Sequence, residues 1–133
     1  MKMLLTVTAM IEMGGGVALL CCPSAAVTVL LGSGLDAPVA VALGRLAGAA
    51  LLALGVACWL ARGAEQSGAT KGVITAMTVY NVGAVVILGS AGVQLRPVGI
   101  AVWPAVAIHA AMAIWCIECL RRRPTAKLIE TPT

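Results

Sequence analysis

The chain has 133 residues, 61% hydrophobic and only 11% charged, with a formal net charge of +4 and a mean hydropathy of +1.04. Soluble domains average about 45–50% apolar and about 25% charged residues, so this composition excludes a water-soluble globular enzyme and makes lipid the solvent. The positive balance does not read as nucleic-acid recognition either, because Lys and Arg cluster at the edges of apolar runs.

A helix needs about 20 predominantly apolar residues to cross a bilayer core of about 30 Å. The first such run covers about 4–22 and includes "LTVTAMIEMGGGVALLCC". Together with Lys2 and the following "SAA", it imitates a secretory signal. Glu12 and the glycines at 14, 15 and 16 interrupt the apolar core that such a signal needs. Leu20 also stands where a lipoprotein signal requires a small residue before Cys21. The segment is therefore expected to be a retained transmembrane helix that Pro23 stops or bends. The next stretch, "PSAAVTVLLGSGLDA", is apolar but too short to cross, and a brief interfacial helix is expected there. The second span is expected over 38–61, the third over 72–92 and the fourth over 98–120, with Pro104 kinking the fourth near its start. The remainder, 121–133, is a basic, polar cytoplasmic tail that meets anionic lipid.

None of these runs alternates polar and apolar residues as an outer-membrane strand would. Continuous apolar runs satisfy their backbone groups only as helices. The expected fold is thus all-α, an up-down bundle of four transmembrane helices filling 1–120. With both termini cytoplasmic, that side carries Lys2, Arg62, Lys71, Arg121, Arg122, Arg123 and Lys127, against only Arg96 opposite. The bias predicts a multi-pass membrane protein with N and C termini inside.

Each expected span carries one strongly polar residue away from its ends: Glu12, Arg45, Asn81 and His109. Such residues are costly in hydrocarbon and turn toward protein or water. At about 1.5 Å of rise per residue, Glu12 lies ~12 Å, Asn81 ~14 Å and His109 ~17 Å from the cytoplasmic ends of their helices, while Arg45 lies ~24 Å away. Glu12, Asn81 and His109 therefore share a level, and a Glu12–Arg45 ion pair requires tilt. Three readings remain for the cluster: polar glue between helices, a proton-titrating or ligand-binding centre built on a carboxylate and an imidazole, or a contact to another subunit. Tyr80, beside Asn81, lies deep enough that its hydroxyl needs a partner.

Gly44, Gly48 and Gly55 line one face of the second span, and Gly83 offers a close approach between the third and fourth. Cys116 and Cys119 form C-x-x-C, with Cys58 at the matching end of the second span. These three thiols fall short of the four ligands of a structural zinc site, so they are weak metal candidates beside a reading as inert cysteines. No cofactor motif appears: His109 is the only histidine, whereas a haem held by two imidazoles needs a pair.

At "GRLAGAALLALGVACWLAR", "YNVGAVVILGSAG" and "WPAVAIHAAMA", the chain resembles small four-helix proteins of bacterial inner membranes to which no activity is attached. The resemblance implies fold and location alone. Three functions follow as expectations. The first is a non-enzymatic accessory or structural subunit, docked on other membrane subunits or on itself. The second is a proton-coupled carrier: four helices and an acidic residue in the first are similar to the small multidrug resistance family, which implies Glu12 as the titrating group. The chain departs from that family in its 3% aromatic content and in Arg45. The third is a redox-complex subunit whose His109 meets a cofactor or quinone.

Overall fold

The structure is a computed structural model that describes residues 1–64 and 67–121; the polar tail at 122–133 lies outside the described residues. Within them the chain is all-helical, with α1 (Lys2–Cys21), α2 (Pro23–Leu31), α3 (Pro38–Ala61), α4 (Gly68–Gln94) and α5 (Val102–Arg121). Four of the five, α1, α3, α4 and α5, are long and apolar enough to cross a membrane. The protein is thus a multi-pass helical membrane protein.

Local chemistry sets the helix ends. Cys22 leaves helical geometry, and Pro23 restarts the chain as the first residue of α2, where its missing N–H breaks no helical bond. Gly32 ends α2 in the left-handed region at φ 86°, a conformation glycine adopts without a Cβ clash. Pro38 opens α3 in the same way as Pro23 opens α2. Ser67 caps α4 by accepting from the Thr70 amide at 3.2 Å.

One expectation is corrected here. The fourth span begins at Val102 rather than at about 98, which puts Pro104 in the first turn of α5. Proline there removes no intrahelical bond, so the expected kink has no cause. The short segment after α1 is a helix, as expected, and it packs against α1, α3 and α5. Its end is stitched to the α4–α5 connection: Ala101 N–H donates to the Val29 carbonyl at 3.1 Å, and Gly99 sits directly against the backbone of Val29 and Leu30.

The long helices associate as two antiparallel pairs, α1 with α3 and α4 with α5. Hydrocarbon solvates leucine as well as protein does, so close packing and polar bonds must hold such pairs. In the α1–α3 pair the close packing is backbone on backbone. A Cβ on Gly48 would stand 2.8 Å from the Gly16 carbonyl and from the Leu20 amide, and one on Gly16 would stand 2.7 Å from the Leu52 amide. Gly55 is likewise pressed on Met13 and Ala9, while Gly44 faces Leu35 and Pro23. Gly83, expected to ease the approach of α4 and α5, has open space where its Cβ would be. The close contact in that pair is Gly92 under the Trp103 ring.

The two pairs meet at one end. Leu4, Leu5 and Ala9 of α1, Cys58 of α3, Ile74 and Met77 of α4, and Met112 and Cys116 of α5 form a single buried cluster. Toward the other end, contact between the pairs is sparse, and α2 occupies part of the gap.

Gly48→Val should therefore destabilise the protein by about 1–3 kcal/mol, the usual cost of overpacking, whereas Gly83→Val should stay within about 0.5 kcal/mol of wild type. Reversible unfolding in mixed micelles reads both; equal losses would show that the α1–α3 glycines are not the close contact.

Candidate functional site

Where the pairs diverge, they enclose an open-sided cavity of about 640 Å³. Its walls are hydrocarbon: Gly15, Ala18 and Leu19 of α1, Ala84 and Leu88 of α4, and Ala105 of α5 face it at helical spacing. Small side chains on facing helices leave this volume unfilled. α2 covers part of it with Ala25, Ala26, Val29 and Leu30. The strongly polar groups that line the cavity are Glu12, Tyr80 and His109, at mid-helix on α1, α4 and α5.

Those groups lie together. Glu12 is only 4% exposed and lines the cavity together with Tyr80. The Tyr80 ring meets the His109 ring edge-to-face, with centroids 5.6 Å apart and planes at 81°, a favoured aromatic geometry. His109 Nδ1 lies 2.8 Å from Asn81 Oδ1. Asn81 is 1% exposed, and its Nδ2 donates to the Met77 carbonyl at 2.7 Å. Asn81 is thus held from its own helix and reaches α5, linking the α4–α5 pair by a polar bond beneath the cavity.

Thr8 stands one helical turn from Glu12 on α1 and is 1% exposed, yet its Oγ1 has no hydrogen-bond partner among the described residues. Thr6, Thr28, Thr75 and Thr78 all turn their hydroxyls back to the carbonyl four residues earlier. Sequence reasoning passed over Thr8; its position four residues before a buried carboxyl was the available signal.

The structure brings Glu12, Tyr80, Asn81 and His109 together, and leaves Arg45 out. Arg45 is exposed on the outer face of α3, and the single ion pair among the described residues joins Arg121 to Glu118. Glu12 accordingly has no basic side chain paired with it there. The cysteines behave differently from a metal site: Cys58 and Cys116 are buried in the core cluster and Cys119 packs at its edge, but no group of three ligating side chains converges among the described residues. Fold and site together define a helical membrane protein with a polar-floored internal cavity. No family model, curated protein or solved structure matches the chain.

If the Asn81–His109 bond ties α4 to α5, Asn81→Leu should cost about 1–3 kcal/mol, because it leaves the His109 N–H buried without an acceptor. A double-mutant cycle with His109→Leu should return a coupling of about 0.5–2 kcal/mol in micelles. A coupling of zero would mean the bond carries no stability.

Proposed function

We propose that this protein binds a small amphipathic molecule in its membrane-embedded cavity, and that proton and ligand exchange at Glu12, the first half of a proton-coupled carrier's cycle. The observation that supports this reading is the cavity itself: about 640 Å³ of apolar space ending on a carboxyl, a phenol and an imidazole. Binding pockets for small molecules have this volume and this sparse, convergent polarity. Glue between helices needs the Asn81–His109 bond but not the space above it. The carboxylate that attracts a cationic head group is also the group that takes up a proton, so the two occupants exclude one another.

The orientation proposed for this function follows the Lys and Arg distribution, with both termini on the cytoplasmic side of a bacterial inner membrane and an up-down threading that the antiparallel pairs support. The packed end then faces the cytoplasm, and the cavity lies toward the outer leaflet.

A second reading, an accessory subunit or self-associating unit, is supported by Arg45. An arginine on the outward face of a spanning helix must either snorkel to the headgroups or meet an acidic partner on another subunit. Gentle solubilisation of native membranes and sizing should give a complex that Arg45→Leu disperses if this is its role; a wild-type monomer counts against it.

The carrier reading predicts that 4-phenylbutylamine, a small cation with an apolar body, binds more weakly as pH falls. Protons occupy Glu12 and charge His109, and both changes oppose a cation. Titration calorimetry at a series of pH values should show that slope, with Glu12→Gln losing at least tenfold in affinity and most of the pH dependence. Wild-type binding that is flat with pH would remove the proton from the mechanism.

A further inference from the structure

The hydrogen bonds beneath the cavity dictate which way its floor points, and hence what kind of head group it takes. The Met77 carbonyl only accepts, so the Asn81 atom 2.7 Å from it must be the amide nitrogen. That orientation turns Oδ1, which also only accepts, toward His109 Nδ1 at 2.8 Å. Nδ1 must therefore carry the hydrogen and donate. In a neutral imidazole only one nitrogen is protonated, so Nε2 is left as a bare lone pair. Asn81 is not a cavity residue, whereas His109 is. Among the described residues no hydrogen bond to Nε2 is present. The floor thus offers the Glu12 carboxyl and His109 Nε2 as acceptors, beside the Tyr80 hydroxyl.

From this polarity we infer that the site selects a ligand that brings N–H donors: a primary or secondary ammonium on an apolar body, its N–H groups shared between Glu12 and His109 Nε2. The inference rests on the proposed binding reading and deepens it. A quaternary ammonium has the charge but nothing to donate to Nε2. A site built to receive a donor discriminates against analogues lacking one because its own groups are then left unpaired. The apolar body lies against the alanine and leucine walls, whose 640 Å³ accommodates a phenylalkyl chain.

Two measurements on the full chain test this. His109 is the only histidine, so protein labelled with 15N-histidine and purified without a histidine tag gives one pair of ring resonances. Nδ1 should appear protonated and Nε2 bare, with the Nε2 signal moving when 4-phenylbutylamine is added. In parallel, calorimetry compares 4-phenylbutylamine with its N,N,N-trimethyl analogue, which keeps the charge and loses every N–H. The primary amine should bind at least tenfold more tightly, and His109→Leu should reduce that preference to less than threefold. Asn81→Asp, which keeps an acceptor opposite Nδ1, should retain the preference should His109→Leu fail to fold. A hydrogen on Nε2, or equal affinity for the two cations, overturns the inference while leaving a cation-binding cavity intact. Binding of neither overturns the inference and the underlying reading together.

Discussion

A polar side chain inside hydrocarbon has no solvent to fall back on, and the architecture of this protein follows from that constraint. A buried group that hydrogen-bonds is costly unless it finds its partner within the chain, as the backbone does by forming helices. Four threonines satisfy themselves on the preceding turn. Asn81 and His109 instead satisfy one another across α4 and α5. That exchange sets the mutual level of α4 and α5, because a shift of one turn would break it.

The same medium explains why the molecule is tight at one end and open at the other. Without hydrophobic drive between helices, contact persists only where surfaces interlock. Gly16, Gly48 and Gly55 allow α1 and α3 to touch along their backbones, and the cluster around Leu5, Cys58, Met77 and Cys116 closes the bundle at one end. Beyond mid-height, many of the facing positions carry alanine and glycine, and the helices stay apart around the cavity. The polar set marks the boundary between the two regimes. It is therefore both the last fastening of the closed end and the floor of the open one.

The short helix α2 shows how the open end is kept from collapsing outward. Pro23 and the left-handed Gly32 bound it, Leu35 N–H bonds back to the Ser24 hydroxyl at 3.0 Å, and Val29 accepts from Ala101. These local bonds attach α2 to both helix pairs without requiring the pairs to meet. A segment too short to span thus does structural work that a spanning helix at the same place would do by filling the cavity.

The residues themselves determined the four spans, because the length of an apolar run and the demand for internal backbone pairing are properties of the chain alone. They also determined that Glu12, Asn81 and His109 stand at one depth, since helical rise converts sequence position into height. The glycine spacing at 44, 48 and 55 marked a close face but not its partner: Gly16 became that partner, and Gly83 did not, because small residues permit an approach without choosing it. Rotation about each helix axis and the spacing between pairs belong to the tertiary structure. Those quantities decided that Arg45 faces outward, that Thr8 is buried with no bond among the described residues, and that a cavity exists at all with Tyr80 and Glu12 both lining it. None of these follows from a one-dimensional pattern, because each depends on which atoms of distant segments arrive at the same place.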